Sequence, residues 1–151
     1  MSAPRREFIS GFKAELPLLI GVIPFGMIYG VLALGAGMPA GAAQAMSTIV
    51  FAGSSQFIST QLYGIAAPGW VIFITAVVVN LRHALYSASI APYLKCLNSR
   101  WKWSLAYLLT DEAYAVAITH YRQTEDSPDC ERPDARHWYF LGAGLALWGT
   151  W

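Results

Sequence analysis

From Leu16 to Leu81 the chain carries no Asp, Glu, Lys, Arg or His. Apolar residues fill this stretch too densely for a soluble helix, which still shows one polar face to water. The pattern predicts membrane helices. Five apolar stretches can be drawn, Leu16 to Gly37, Ala40 to Tyr63, Pro68 to Ala91, Trp101 to Tyr121 and His137 to Trp151. One connection differs from the rest: "RQTEDSPDCERPDAR" (122–136) is charged, contains proline and reads as a loop outside the membrane. The first stretch makes about 33 Å of helix, enough to cross a hydrocarbon core of roughly 30 Å. The last makes about 22 Å and falls short of a span. The expected architecture is an all-α integral membrane protein, a polytopic helical bundle with about four crossings. It is expected to be a single transmembrane domain over residues 1–151, with a further part missing at the C-terminus.

Composition agrees. The chain is 56% hydrophobic and 13% charged, with a net charge of +1, too apolar for a soluble domain of this length. No basic patch lies beside aromatic residues on a soluble face, which argues against nucleic-acid binding. Arg5 and Arg6 before an apolar run, with Ala40-Gly41-Ala42 beyond it, have the look of a cleaved signal peptide. The run exceeds a typical h-region of about 7–15 residues, and the next stretch is equally apolar, so a membrane span is the better reading.

Orientation is set by Lys and Arg near the spans. Arg5, Arg6 and Lys13 place the N-terminus in the cytoplasm, and Lys95, Arg100 and Lys102 place residues 95–102 there too. Three full crossings between these regions would put them on opposite sides, so one stretch is expected to re-enter or break. The second is the best candidate, because "FAGSSQFISTQ" (51–61) strings together Gly53, Ser54, Ser55, Gln56, Ser59, Thr60 and Gln61. Such sequence is tolerated at membrane depth in a re-entrant or broken helix lining a cavity. An ordinary helix using Ser and Thr for interhelical hydrogen bonds fits it equally well. On this topology the fourth stretch runs outward, with Tyr93, Trp101 and Trp103 at the inner surface and Tyr121, Trp138 and Tyr139 at the outer. Cys96 then lies inside and Cys130 outside, so no disulfide is expected, and two thiols alone make no metal site.

In "LLTDEAYAV" (108–116) two adjacent carboxylates, Asp111 and Glu112, interrupt an apolar run. Near a helix centre the pair costs about 5–7 kcal/mol, while the neighbouring aliphatic residues offset only some 1.5–3. The acids must therefore face protein, water or a proton, and an intramembrane site is the default reading; interhelical hydrogen bonding alone is the plainer alternative. Adjacent helical residues point about 100° apart. Asp111, sharing a face with Tyr107, Tyr114 and Ile118, is expected to face a transport path. Glu112, on the face of Leu108, Ala115 and Thr119, is expected to bond a neighbouring helix or a partner subunit.

A second polar group, "VVNLRHALY" (78–86), puts Asn80, His83 and Ser87 on one helix face and Arg82 with Tyr86 on another. A basic group in one helix opposite an acidic group in another balances charge inside a membrane. Arg82 snorkelling to the surface and His83 as an interface residue are the plainer readings. His83 has the side chain best suited to exchange protons near neutrality. In the first helix Pro24 frees a backbone carbonyl and suggests a kink or unwound turn, and Gly26 with Gly30 forms a G-x-x-x-G packing face. No nucleotide-binding or hydrolase motif and no metal cluster is readable, so no cofactor is expected and an enzyme is disfavoured.

"PFGMIYG" (24–30), "FAGSSQF" (51–57), "NLRHALY" (80–86) and "LTDEAY" (109–114), in this order, resemble the AzlC family, the larger subunit of bacterial branched-chain amino acid exporters. The resemblance runs from Phe8 to about Arg122. It implies a multi-pass permease of the bacterial inner membrane that exports neutral, chiefly branched-chain amino acids. It also implies a small, separately encoded AzlD-type membrane subunit as partner.

A zwitterionic substrate needs donors for its carboxylate, for which Ser54, Ser55, the backbone N–H groups near Gly53, and Arg82 are candidates. It needs acceptors for its ammonium group, for which Asp111, Glu112 and Gln56 are candidates. Proton exchange is the expected driving reaction. Two other classes compete: a non-transporting assembly or regulatory membrane subunit, and an integral-membrane enzyme using His83 with Asp111 as base and acid.

Overall fold

The computed structural model describes residues 2–123 and 135–151, and among them every regular element is helical. In chain order these are α1 (Ala3–Gly35), α2 (Ala40–Ala45), α3 (Gly53–Gly64), α4 (Gly69–Asn80), α5 (Arg82–Ile90), α6 (Ser99–Tyr107), α7 (Asp111–Gln123) and α8 (Arg136–Trp148). A π-helical turn at Met46–Val50 comes after α2, and a 3-10 turn at Ala91–Leu94 comes after α5. The chain divides into two compact units. The first holds Met1–Ile20 and His83–Thr150; the second holds Gly21–Arg82 and Trp151.

Local sequence explains the helix ends in the second unit. After α1 the Met38 N–H reaches the Ala33 carbonyl and the Gly37 N–H reaches that of Leu34, both at 3.0 Å. This cap needs a left-handed residue, and Gly37 supplies it with φ +80°. The same bonding recurs after α3, where Ala66 takes the left-handed position at φ +54°. Pro39 and Pro68 come after these caps and serve as N-caps of α2 and α4.

Polarity in this unit is inverted relative to a soluble fold. No residue of α4 is buried, and Trp70, Phe73, Ile74, Val77 and Val78 are exposed. α3 instead buries Ser55, Gln56, Ser59 and Thr60. Apolar outside and polar inside is the arrangement a hydrocarbon solvent selects.

In the first unit α6 and α7 form a hairpin. Trp101 at the start of α6 meets Trp138 with ring centroids 5.1 Å apart, and Tyr93 meets Tyr121 at 5.5 Å. The Trp148 indole at the end of α8 donates to the Tyr107 hydroxyl at 2.9 Å, so α6 runs parallel to α8. Tyr121 donates to the Arg136 carbonyl at 2.9 Å, so α7 runs antiparallel to it. This corrects the expected topology: the fourth stretch is two helices that double back, and aromatic residues assigned to opposite membrane surfaces touch. Cys96 is disulfide-bonded, contrary to the free thiol expected. The chain's other cysteine, Cys130, and most of the charged 122–136 segment lie outside the described residues. The hairpin brings both ends of the fourth stretch to one end of the unit, and the expected outer position of Cys130 falls on a residue outside those described.

α1 starts well before Leu16 and continues unbroken through Pro24, so the unwound turn expected there is absent. Close helix packing also lies elsewhere than expected. A Cβ at Gly30 would meet nothing within 4 Å, and one at Gly26 only the Trp151 carbonyl oxygen at 3.9 Å. At Gly11 a Cβ would overlap the Tyr139 backbone, and at Gly142 that of Phe8. These two glycines let α1 and α8 approach backbone to backbone, as small residues do in membrane bundles.

Gly142→Val should destabilise the protein by at least about 1–3 kcal/mol, since backbone on the opposite helix cannot move aside. Gly30→Val should leave it nearly unchanged. Thermal unfolding of the two variants in detergent checks the contrast.

Candidate functional site

The polar motifs sit at helix interruptions. In the second unit α2 widens into the π-helical turn, whose last bond runs from the Phe51 N–H to the Met46 carbonyl at 3.2 Å. Phe51 is then left-handed at φ +46° and Ala52 extended at φ −143°. A left-handed non-glycine residue costs roughly 1–2 kcal/mol, and such strain persists only where surrounding structure holds it. The expected broken helix is therefore present, with its break at Phe51–Ala52.

α3 begins at once with Gly53, Ser54, Ser55 and Gln56. Its N-cap, Ala52, has no side chain to bond the free N–H groups of the first turn. Such a terminus carries partial positive charge and suits a carboxylate. Gly53 is tightly overlaid: a Cβ there would lie 2.8 Å from Phe25 Cε1 and 3.0 Å from Trp151 Cη2. Ser54 is partly exposed, whereas Ser55 and Gln56 are 0% exposed.

The buried groups have partners. Ser55 Oγ donates to Asn80 Oδ1 at 2.6 Å, which joins "FAGSSQF" to the end of α4. Gln56 Nε2 donates to Ser47 Oγ at 3.0 Å, and Gln56 Oε1 accepts from the Trp151 indole at 3.0 Å. The Tyr29 hydroxyl donates to the Ala43 carbonyl at 3.1 Å and also bonds Gln56. Gln56 is the hub of this network, tying the break to α1 and to the turn before it.

At "NLRHALY" the helix tightens. The Leu81 N–H bonds the Val78 carbonyl at 3.2 Å, an i to i+3 contact between α4 and α5. The division between the units falls between Arg82 and His83. Arg82 is half-buried. His83 meets Tyr86 edge-on at 5.9 Å, Tyr86 stacks on Tyr114 at 4.5 Å, and the Tyr114 hydroxyl donates to Ser89 Oγ at 2.8 Å. The second and third polar motifs are thus joined through the two tyrosines.

The third interruption, at residues 108–110, changes the meaning of the carboxylates. Asp111 and Glu112 occupy the first turn of α7, not the middle of a long helix. Thr110 caps this turn, its Oγ1 accepting from the Ala113 N–H at 3.3 Å. A helix N-terminus stabilises negative charge, which offsets part of the insertion cost. Tyr107 and Leu108 precede the break, so they share no helix face with the acids. Both acids are partly buried.

One carboxylate escaped the sequence reading. Glu15 is 0% exposed, and neither oxygen has a hydrogen-bond partner among the described residues. Counting apolar runs treated it as the flank of the first span, whereas it sits inside α1. The signal available was its i, i+4, i+8 spacing with Glu7 and Gly11. Among the described residues no group of three or more His, Cys, Asp or Glu is placed to hold a metal ion.

Ser55→Ala and Asn80→Ala should each cost about 1 kcal/mol of stability, with a coupling energy of roughly 0.5–1.5 kcal/mol in the double mutant. Chemical unfolding of the four proteins in detergent measures it.

With this geometry in place, comparison with known proteins is informative. No solved structure matches the chain. It is 28% identical to the inner membrane protein YgaZ of Escherichia coli over 145 residues, covering 95% of this chain and 56% of that protein. It is 33% identical to a membrane protein of Archaeoglobus fulgidus over 144 residues, 95% of this chain and 58% of that one. It is 29% identical to the branched-chain amino acid transport protein AzlC of Bacillus subtilis over 113 residues, 74% of this chain and 44% of that one. The chain thus spans about half the length of the curated relatives it matches. The AzlC protein family profile matches residues 17–151, nearly the whole of the sequence, and the chain belongs to that family.

Proposed function

We propose that this protein acts in the export of neutral, chiefly branched-chain amino acids across the bacterial inner membrane, in exchange for protons. Family membership supports transport, and the name of the Bacillus subtilis relative supports the substrate class. The observation that carries the reading is the broken helix at Phe51–Ala52, which opens α3 with free N–H groups among buried polar side chains in an otherwise apolar unit. Transporters use such half-helix termini to hold a substrate carboxylate. Ser54, Ser55 and Arg82 are further candidates for that end, and Gln56 is a candidate acceptor for the ammonium group. Asp111, at the N-terminus of α7, is the proposed coupling carboxylate.

The chain is multi-pass, with the N-terminus assigned to the cytoplasm from Arg5, Arg6 and Lys13. A small AzlD-type membrane subunit is its proposed partner, and no enzymatic step is assigned.

Co-expression of the protein with its partner in cells fed a branched-chain dipeptide should lower cytoplasmic valine and raise external valine. Unchanged valine on both sides would contradict the reading. Asp111→Asn should insert normally and lose proton-coupled export, and Asp111→Glu should retain part of it at a shifted pH optimum. Valine efflux measured across a pH series separates coupling from a purely structural contact.

A further inference from the structure

The first unit carries a groove of about 390 Å³ that the proposed transport path does not use, between α6 and α5 with the 3-10 turn that follows it. Its floor is part of the core: Ile90, Leu94, Leu105, Leu109 and Phe140 are buried and pack as one cluster. A volume of this size falls in the range of small-molecule sites, roughly 300–1,000 Å³. The lining is apolar except for Ser87, Lys95 and Lys102.

The two lysines stand together at one end. Lys102 Nζ donates to the Lys95 carbonyl oxygen at 3.0 Å, which ties the start of α6 to the chain leaving the 3-10 turn. From there the two walls lead away in step, through Leu94 and Ile90 to Ser87 on one side and through Leu105 to Leu109 on the other. The second wall is about 10 Å long at ~1.5 Å per residue.

Two observations put the lysine end at the boundary between membrane and water. A candidate membrane span ends at Leu94, directly before Lys95. Trp101 and Trp103 flank Lys102, and Trp103 is 78% exposed, as an indole at the headgroup level is. The charge there has one sign: no Asp or Glu occurs between Arg82 and Thr110, whereas Lys95, Arg100 and Lys102 are clustered. A zwitterionic amino acid does not fit this groove, because no carboxylate lines it to balance an ammonium group and two lysines repel one.

We propose that the groove binds an anionic phospholipid, with an acyl chain along the Leu94 and Leu105 floor and the phosphodiester against Lys95 and Lys102. Basic pockets between membrane helices take acidic headgroups in this way. The acyl chain covers apolar side chains that α5 and α6 leave open, and the phosphodiester accepts charge-assisted hydrogen bonds from the ammonium groups. A lipid held there bridges α5 and α6. The site does not depend on the transport reading.

The full chain, purified in mild detergent, is offered phosphatidylglycerol and phosphatidylcholine of matched acyl chains in equal amounts, and bound lipid is counted by native mass spectrometry. One phosphatidylglycerol per protein should be retained in preference to phosphatidylcholine. Lys95→Gln and Lys102→Gln should each weaken its binding about 5-fold, and the double variant about 25-fold, the scale of one basic residue each at an anionic lipid surface. Lys102→Arg should retain binding, which separates lost charge from a folding defect. Ala106→Trp fills the groove from an exposed position. It should lose phosphatidylglycerol while its thermal unfolding in lipid-free detergent stays unchanged. Equal retention of the two lipids, or full retention of phosphatidylglycerol by the double lysine variant, would overturn the proposal. So would displacement of the lipid by inorganic phosphate, which marks a site for a free anion, or a dimer that Ala106→Trp disrupts, which marks an interface between copies of the chain.

Discussion

Every backbone N–H and C=O at membrane depth must find a partner inside the protein, and this constraint governs the structure. An unbroken helix meets it automatically, so a break survives only where side chains or a polar interior take over the freed groups. The chain breaks or tightens its helices at Phe51–Ala52, Leu81 and Leu108–Thr110, and each place coincides with a polar motif. Thr110 caps one exposed turn. Gln56, Ser47, Ser55, Asn80 and Tyr29 form the polar interior around another. The polar residues of these motifs and the irregular backbone are therefore parts of one solution. The groups they leave unsatisfied, chiefly the first-turn N–H groups of α3, are the proposed place for a ligand.

The same constraint accounts for the inverted polarity. α4 turns only apolar residues outward, while α3 hides Ser55, Gln56, Ser59 and Thr60. Without a hydrophobic force between helices in lipid, close packing has to come from shape. Gly11 and Gly142 supply it where α1 meets α8. Glu15 lies one turn beyond Gly11, so the face of α1 that packs against its neighbours is also the face that buries a carboxylate.

Much of this was legible in the sequence, and the errors have physical causes. Helical class, the polar motifs and the break in "FAGSSQF" are consequences of charge-free length and of Ser, Gln and Gly at membrane depth. The hairpin of α6 and α7 was hidden, because Leu108 and Leu109 read as the centre of a span and only Thr110 hints at a cap. The error displaced the aromatic belts with it. Pro24 looked like a break, but a proline lacks only its own N–H, and α1 continues past it. Gly26 and Gly30 have the packing spacing, yet the glycines in contact, Gly11 and Gly142, are remote in sequence and only tertiary structure pairs them. Asp111, Glu112 and His83 were found because charge is conspicuous in an apolar run. Glu15 was missed because it stands at the edge of one.

The central claim is that the opening of α3 is a water-reachable binding place for neutral amino acids. The direct test places a single cysteine at Ser54, in a background with Cys96 and Cys130 replaced, and monitors its reaction with a small water-soluble thiol reagent. The cysteine should react from water, and valine should slow the reaction while lysine does not. A cysteine inert to the reagent, or one that valine fails to protect, would contradict the account.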